Sequence, residues 1–283
     1  MGLLDGKVAT ITASTRSIGR GIAEAFHNEG ATVVLSGRNE EKGLKAIEEM
    51  GGGDRLHFIA CDASKQAQVE ALVDATVAKC GRIDIIVPNA GGVANTAPVA
   101  MMSDEEWQYE LDFNLNQTFW MTRRALKYML PQQSGRIIGM SSMYGKISTM
   151  AVPGYIANKH AIIGLMKAVA KEVGTQGITA NALCPGFVPT DMFYETGPAT
   201  VEAMGLPNLD ALAQIMFSVT AIQRPNTEAE VAAAAVLLAS DLGAGITGTT
   251  INVDGGHHLR SGPDFRSFIE PAIGHDAMVG RMS

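Results

Sequence analysis

Short runs of β-branched and aliphatic residues alternate with longer helical patterns along most of this chain, and this alternation restricts its fold more than any other feature. The runs predicted to be strands are residues 8–12, 32–35, 56–60, 83–87, 136–140, 178–183 and 249–253. Strands that are apolar on both faces and separated by helices form parallel sheets covered on both sides. We therefore expect a doubly wound α/β fold, with a seven-stranded parallel sheet and helices on both faces.

No Ser-, Pro- or Gly-rich spacer, charge block or internal repeat interrupts the alternation, so we expect residues 1–283 to form a single domain. Two segments depart from the pattern. Residues 187–226 form a long, partly apolar excursion that is predicted to be a substrate lid, with a purely structural helix pair as the alternative. Residues 257–283 form a polar tail, interrupted by Gly and Pro, that is predicted to dock on its own or a neighbouring subunit.

The composition excludes several classes of partner. A formal net charge of −7 argues against nucleic acid, because phosphate backbones are bound by clustered positive charge. The three cysteines are widely spaced and odd in number, which indicates neither a disulfide framework nor a metal site. The longest apolar run, residues 231–239, is too short to span a membrane, and the N-terminus lacks an export signal. We expect a cytoplasmic protein with a small-molecule substrate.

Three polar residues in the middle of the chain indicate acid-base chemistry. Tyr155 and Lys159 are four residues apart in a helical pattern, which places them on one helix face. A neighbouring ammonium favours the phenolate, so we expect Lys159 to lower the pKa of Tyr155 toward neutral pH, where general acid-base catalysis is efficient. Ser142, thirteen positions before Tyr155, is predicted to hold a substrate oxygen against the phenol.

Residues 12–19 form a small-residue turn between the first predicted strand and a helical pattern that resumes at residue 22. The backbone N–H groups and the dipole at a helix N-terminus favour bound phosphate, so this segment predicts a dinucleotide site. The turn residues that we expect to contact the cofactor are Ser14, Arg16, Ser17, Ile18 and Gly19.

The end of the second strand indicates which dinucleotide is preferred. A site for NAD usually has a carboxylate there for the ribose 2′-hydroxyl, whereas a 2′-phosphate requires a cation. Gly37 and Arg38 stand in place of the acid, and Arg16 provides a second guanidinium from the turn. The two arginines favour NADP(H), with NAD(H) as the alternative.

These motifs, in this order, resemble the short-chain dehydrogenase/reductase family of the Ser-Tyr-Lys type from residue 7 to residue 256. The resemblance implies a Rossmann fold and an NADP(H)-dependent carbonyl reductase or secondary-alcohol dehydrogenase. It implies that Tyr155 protonates the carbonyl oxygen, Ser142 polarises it, and Lys159 binds the nicotinamide ribose. It also implies that Asn114, in the Phe-Asn-Leu-Asn sequence, holds a water that links Lys159 to solvent.

Further residues are assigned through the resemblance. The implied cofactor contacts, besides Tyr155 and Lys159, are Asp62, Ala63, Asn89, Ala90, Gly91, Pro185, Gly186, Val188 and Thr190. From their positions rather than from the resemblance, Met192 and Phe193 of the 187–226 segment and Tyr144, two residues beyond Ser142, are assigned to the substrate pocket, with packing as an equal alternative for Tyr144. The family also implies a homotetramer, and the helix at 155–173 offers an apolar face for it that comprises Ile156, Ile163, Met166 and Val169.

Several positions depart from the family pattern. Ala13 and Ser17 replace two glycines of the turn, where a Cβ at Ser17 narrows the approach to a pyrophosphate and its hydroxyl offers a bond to phosphate instead. Pro88 replaces an asparagine. Gln133 and Gln176 stand where acyl-carrier-protein reductases of the family have basic residues. A free, small, partly apolar ketone is therefore the expected substrate rather than a carrier-bound acyl chain.

Two alternatives stay open. A 3-oxoacyl thioester or a β-hydroxy acid would use the same chemistry, although the 187–226 segment offers only Arg224 as a cation for such a substrate. A cofactor-binding protein that has lost catalysis is the second alternative, and the altered turn is its only support.

Overall fold

A computed structural model describes residues 2–94 and 96–259, and within these residues the chain forms one parallel sheet of seven strands. The strands are β1 Val8–Ile11, β2 Thr32–Gly37, β3 Leu56–Ala60, β4 Ile85–Val87, β5 Gly135–Met140, β6 Ile178–Pro185 and β7 Thr250–Val253. Their order is β3-β2-β1-β4-β5-β6-β7. The predicted fold class is confirmed, and the predicted strand ends differ from these bounds by at most two residues.

Helices cover both faces of the sheet. They are α1 Ser17–Asn28, α2 Glu40–Glu49, α3 Gln66–Cys80, α4 Asp104–Glu110, α5 Gln117–Gln132, α6 Pro153–Val173, α7 Asp191–Ala203, α8 Leu209–Phe217 and α9 Glu228–Ala239. One apolar core lies under α1, α2 and α9, and a second lies under α3, α5 and α6. In the part of the chain that the structure describes, no helix is both long and apolar enough to cross a membrane.

The strand order places the candidate residues along one edge of the sheet. β1 pairs with both β2 and β4, so the chain direction across the sheet reverses at β1 and a crevice opens beyond the carboxyl ends of β1 and β4. The 12–19 turn follows β1, and Pro88 to Gly91 follow β4. Ser142 follows β5, which pairs with β6 through Met140 and Leu183.

Of the two segments that depart from the alternation, the structure describes the first completely and the second only at its start. Residues 187–226 contain α7 and α8 and connect β6 to α9. The tail is described only from His257 to Leu259, and the rest of the predicted docking segment lies outside the described residues. His257 is buried, and His258 Nδ1 lies 2.7 Å from Asp254 Oδ2.

Candidate active site

Ser142, Tyr155 and Lys159 lie together at the carboxyl edge of β5. The Ser142 hydroxyl lies close enough to the Tyr155 phenol to lower the pKa of the phenol. Lys159 lies one helical turn beyond Tyr155, with its Nζ 5.3 Å from the centre of the tyrosine ring. Lys159 is 3% exposed, and its Nζ donates to Met140 O at 2.9 Å, which anchors the ammonium to the end of β5.

Local structure explains how these side chains are positioned. Ser142 has an extended backbone and caps a short 3-10 helix by accepting a bond from Tyr144 N at 3.2 Å. Helix α6 begins at Pro153, a residue whose fixed φ suits the first helical position. Tyr155 therefore stands in the first turn of α6, next to Ser142.

The pKa of Tyr155 differs from the expectation. Burial raises it to about 12, and the Ser142 hydroxyl lowers it only in part. Burial also lowers the pKa of Lys159 to about 8. The predicted lowering of the tyrosine pKa by Lys159 was wrong for the protein alone, because removal from water disfavours the phenolate more strongly than its neighbours stabilise it.

Asn114 is fully buried beside this group, in a π-helical turn, Leu111–Asn116, that joins α4 to α5. π-Helical turns are rare and occur frequently at functional sites. Asn114 Oδ1 accepts from Gly92 N at 3.0 Å, and its Nδ2 donates to Gly92 O at 3.1 Å. A Cβ added to Gly91 would lie 2.7 Å from Asn114 Oδ1 and 3.1 Å from Lys159 Nζ, so both atoms lie on the same side of Gly91.

The 12–19 turn keeps the geometry of a glycine-rich turn without two of the glycines. Ala13 and Ser17 both adopt positive φ, at 50° and 53°. Gly19 is required for close packing, because a Cβ there would lie 2.4 Å from Ala13 O and 2.5 Å from Asn89 Nδ2. The Ser14 hydroxyl donates to Ile11 O at 2.8 Å, which links the turn to the end of β1.

The segment after β4 supports the same turn. Asn89 Nδ2 donates to Thr12 O at 3.0 Å and to Ala13 O at 3.2 Å. Ala90 N donates to Thr12 Oγ1 at 2.8 Å. Pro88, which cannot donate a backbone bond, instead accepts one from Gln117 Nε2 at 3.2 Å. Asn89 and Ala90 therefore hold the turn and the β4 end in one rigid unit.

The residues predicted to surround the adenosine lie at the ends of β2 and β3. Arg38 is exposed just beyond the end of β2. Asp62 follows β3, and its Oδ1 accepts bonds from the backbone and hydroxyl of Ser64. Ala63 is buried beside Asp62. The positions agree with the predicted adenosine site, whose contacts remain a prediction.

Arg16 and Ser17 have partners that the sequence did not reveal. Arg16 forms an ion pair with Glu195 of α7, and the side chains of both residues are about half exposed. Ser17 Oγ donates to Asp191 Oδ2 at 3.1 Å, so the hydroxyl bonds to a carboxylate. Both pairs tie the start of α7 to the turn. No pattern in the sequence signals contacts between residues about 180 positions apart.

The carboxyl end of β6 closes the crevice. Gly186 N donates to Val253 O at 2.9 Å, and a Cβ on Gly186 would lie 2.6 Å from Asp254 Cα. Pro185 and Val188 are buried, and Thr190 occupies the N-cap position of α7. These residues lie between the β6 end and α7, and the cofactor contacts assigned to them remain a prediction.

The three predicted substrate residues each make a different contact. The Tyr144 ring meets the Tyr155 ring edge to face, with 6.4 Å between centroids. Met192 Cε lies 3.0 Å from a Cβ position built on Gly92, so this methionine covers the backbone beside Asn114. Phe193 packs against Phe187 at 5.1 Å, which gives it a packing role in the 187–226 segment.

Comparison with known proteins adds a second line of evidence. The family described as enoyl-(acyl carrier protein) reductase matches residues 12–258. The chain is 38% identical over 268 residues to a 3β-hydroxysteroid dehydrogenase of Mediterraneibacter gnavus, with 90% of this chain and 96% of that protein covered. It is 36% identical over 256 residues to a 3-oxoacyl-(acyl-carrier-protein) reductase of Chlamydia muridarum, with 90% and 98% covered. The chain belongs to the short-chain dehydrogenase/reductase family.

A solved structure agrees with this assignment to the short-chain dehydrogenases/reductases. A crystal structure of a variant of actinorhodin polyketide ketoreductase with NADPH matches with a TM-score of 0.84 and 31% identity, over 91% of this chain and 99% of that one. The protein is thus an oxidoreductase that acts on hydroxyl and carbonyl groups, and its family binds a nicotinamide cofactor.

The residues of this short-chain dehydrogenase/reductase fit such a cofactor. Arg16 at the N-cap of α1 makes no side-chain cap bond, so the first N–H groups of the helix are available to phosphate oxygens. Ala13 and Ser17 adopt positive φ, so the turn that precedes these N–H groups keeps its shape. The turn and the Tyr155 and Lys159 pair both border the crevice at the carboxyl edge of the sheet, as a dinucleotide requires.

Proposed function

We propose that the protein interconverts a carbonyl group and a secondary alcohol in a small, partly apolar metabolite, with NADP(H) as preferred cofactor and Tyr155 as the acid and base. The observation that carries this proposal is the convergence of Tyr155, Ser142 and Lys159 at the carboxyl edge of β5. A tyrosine beside a serine hydroxyl can present its proton to an oxygen held between them.

The mechanism follows from the surroundings of the phenol. Bound NADP(H) supplies or accepts the hydride. Burial raises the pKa of Tyr155 to about 12, which keeps its hydroxyl protonated at neutral pH and ready to donate to a carbonyl oxygen. Ser142 holds that oxygen by a second hydrogen bond and stabilises the negative charge that develops on it. Lys159 places a positive charge beneath the tyrosine ring, and Asn114 lies next to Lys159 at Gly91.

The preference for NADP(H) is supported by the end of β2. Arg38 is exposed there, and Gly37 stands at the strand end in place of a carboxylate. A Cβ on Gly37 would lie 3.2 Å from Thr15 Cγ2, so there is little room for a longer side chain at this position. A guanidinium forms charge-assisted bonds with a phosphate. The actinorhodin ketoreductase variant was solved with NADPH. These observations favour a site for a 2′-phosphate over one for a 2′-hydroxyl.

We also propose that residues 1–283 act as a single domain, that the 187–226 segment is the substrate lid, and that the assembly is a homotetramer. The lid is supported by Met192, which lies over Gly92, and by the bonds from Asp191 and Glu195 to the turn. Exposed apolar residues on this segment include Tyr194, Met204 and Ile215. Such a surface suits an apolar substrate.

The alternative function is reduction of a 3-oxoacyl thioester or oxidation of a β-hydroxy acid, which the similarity to the Chlamydia muridarum reductase favours. An anionic substrate of this kind requires a cation near the lid. Arg224 is already paired with Glu230 at 2.6 Å, so its charge is balanced within the chain. A neutral ketone is therefore the better match. A bulky 3-ketosteroid is included with the small ketones in the test, because a similar protein is named as a 3β-hydroxysteroid dehydrogenase.

The reaction is tested by measuring NADPH oxidation with small aliphatic and cyclic ketones, a 3-ketosteroid and acetoacetyl-CoA. We expect turnover of a neutral ketone, and a loss of about 100-fold or more in kcat for Tyr155→Phe, because the proton donor is removed. Tyr109→Phe is the matched control, since Tyr109 is exposed on α4. Equal rates for Tyr155→Phe and the parent protein would refute the assigned acid. Faster turnover of acetoacetyl-CoA than of every neutral ketone would favour the alternative.

The cofactor preference is tested with Arg38→Ala. We expect the KM for NADPH to rise by about tenfold, because a charge-assisted phosphate contact is lost, while the KM for NADH stays nearly unchanged. Lys45→Ala, a loss of charge on the nearby α2, is the control. If Arg38→Ala changes the KM values for NADPH and NADH equally, Arg38 does not bind the 2′-phosphate.

A further inference from the structure

A buried acid stands beside the residues assigned to catalysis. Glu110 is the last residue of α4 and is 1% exposed. One carboxylate oxygen accepts from Asn114 Nδ2 at 2.9 Å, and the other accepts from Ala94 N at 2.8 Å. A buried carboxylate is costly unless it is bonded and balanced by positive charge, so its presence at this point requires a reason.

The Glu110 carboxylate helps to fix the orientation of the Asn114 amide. A carboxylate only accepts hydrogen bonds, so the amide nitrogen of Asn114 must face Glu110. Gly92 N only donates, so the amide oxygen must face Gly92, which it does at 3.0 Å. The backbone oxygens of Gly92 and Glu110 also accept from Asn114 Nδ2, both at 3.1 Å, so removing the carboxylate takes away one of the groups that distinguish the two ends of the amide, and the only charged one among them.

The position of Glu110 depends on a close approach between α4 and α6. A Cβ on Gly154 would lie 3.2 Å from both Cβ and Cγ of Glu110. Gly154 directly precedes Tyr155, so the stem of Glu110 packs against the first turn of the helix that carries Tyr155 and Lys159. Glu110 therefore contacts Asn114 on one side and the helical turn that carries Tyr155 on the other.

We propose that Glu110 is a positioning residue of this active site, which holds the Asn114 amide in one orientation and sets a buried negative charge opposite the Lys159 ammonium. This inference rests on the proposed function of the same site. The link between the two charges runs through Asn114, whose Nδ2 bonds to Glu110 and whose Oδ1 lies with Lys159 Nζ on one side of Gly91.

The electrostatics of the site agree with that geometry. Burial lowers the pKa of Lys159 to about 8, and the negative charge of Glu110 acts in the opposite direction, as does Cys184 once its thiol is ionised. The groups that face the lysine and its tyrosine are Glu110 from α4, Cys184 from β6, and Tyr144 before α6. Loss of the Glu110 charge therefore lowers the Lys159 pKa further, and less of the ammonium remains at any alkaline pH.

The test compares the pH profiles of kcat/KM for ketone reduction with NADPH in the parent protein, Glu110→Gln and Glu110→Leu. Gln keeps an oxygen for Asn114 but loses the charge, so we expect its alkaline limb to move to lower pH by about one unit. Leu loses both functions, so we expect the same shift and a further fall in kcat of about tenfold or more. Glu110→Asp, which keeps the charge, is expected to restore the alkaline limb.

Asp112→Asn is the matched control, because it removes the same charge from the adjacent π-helical turn, where Asp112 bonds to Asn116 and Gln108. We expect its profile to coincide with that of the parent protein. The proposal is overturned if the Glu110→Gln profile also coincides with the parent profile, or if Asp112→Asn shifts it equally.

A second measurement needs no turnover. Burial lowers the pKa of Lys159 from its ordinary value of 10.5 to about 8 in the folded protein, so the folded state binds fewer protons than the unfolded chain between these pH values. Through this group the free energy of unfolding rises with pH across that window. In Glu110→Gln the rise must begin at lower pH than in the parent protein and Asp112→Asn. An unchanged onset overturns the role of Glu110, whereas absence of turnover in the parent protein overturns only the proposed function.

Discussion

Ala13 holds a backbone conformation that alanine adopts only at a cost. Its φ of 50° lies in the left-handed region, which costs an L-residue about 1–2 kcal/mol. We expect Ala13→Gly to raise the free energy of unfolding by up to about 1 kcal/mol, since part of the relief is offset by the greater freedom of Gly in the unfolded chain. Chemical denaturation measures the change.

The control for this prediction makes the same substitution where the backbone is helical. Ala203 is exposed at the end of α7, and Ala203→Gly is expected to lower the free energy of unfolding by up to about 1 kcal/mol. A destabilised Ala13→Gly protein would show that the turn is not strained at this residue.

Gly19 is the turn residue whose lack of a side chain matters most. A Cβ at Gly19 would lie 2.4 Å from Ala13 O, so Gly19→Ala must displace the turn, and we expect at least a tenfold loss of NADPH affinity. Fluorescence titration with NADPH measures it. Gly164→Ala is the control, because a Cβ there meets nothing within 4 Å and the residue lies inside α6. Unaltered affinity in Gly19→Ala would place the phosphates elsewhere.

At the scale of elements, α7 is fastened to the cofactor turn by the Arg16–Glu195 and Ser17–Asp191 pairs. Arg16 was predicted to bind the 2′-phosphate, so Glu195 competes with NADPH for the same guanidinium. We expect Glu195→Gln to lower the KM for NADPH by about fivefold at most, since exposed ion pairs contribute up to about 1 kcal/mol.

Steady-state kinetics with both cofactors test this competition. NADH lacks the 2′-phosphate, so its KM is expected to stay unchanged in Glu195→Gln. Glu202→Gln removes an exposed acid from the same helix and serves as the control. A higher KM for NADPH in Glu195→Gln would mean that Glu195 supports the closed position of α7 instead of competing for Arg16.

At the scale of the whole molecule, part of the surface predicted for self-association is not available to a second subunit. Met166 and Val169 were assigned to a subunit interface, but both are buried in the core of their own chain, so that assignment was wrong for these residues. The exposed aromatic residues Trp107, Tyr109 and Phe119 lie on α4 and α5. Apolar exposure of this kind favours burial against a second subunit.

We expect Phe119→Glu to reduce the assembled mass, because a carboxylate cannot be buried in an apolar contact without a large desolvation cost. Sedimentation equilibrium measures the change. Leu44→Glu is the control, since Leu44 is also an exposed apolar residue but lies on α2 at a distant edge of the sheet. A parent protein that sediments as a monomer would remove the proposed tetramer.

Much of the fold and of the site could be read from local patterns. Strand runs and helical periods depend on neighbouring residues, so every strand was predicted to within two residues at each end. Tyr155 and Lys159 lie together because one helical turn joins them. Ser142 could be placed beside Tyr155 through the family pattern, and the two side chains do meet.

The sequence by itself determined the parallel α/β fold and the residue types that stand at its carboxyl edge, because both follow from periodicity and order along the chain. Only the tertiary structure decided which charges meet, such as Glu110 with Asn114 and Arg16 with Glu195. It also decided the pKa of Tyr155, where burial outweighs the effect of the Ser142 hydroxyl. The physical reason is that desolvation and ion pairing depend on distances between segments that are remote in the chain, and no local pattern records those distances.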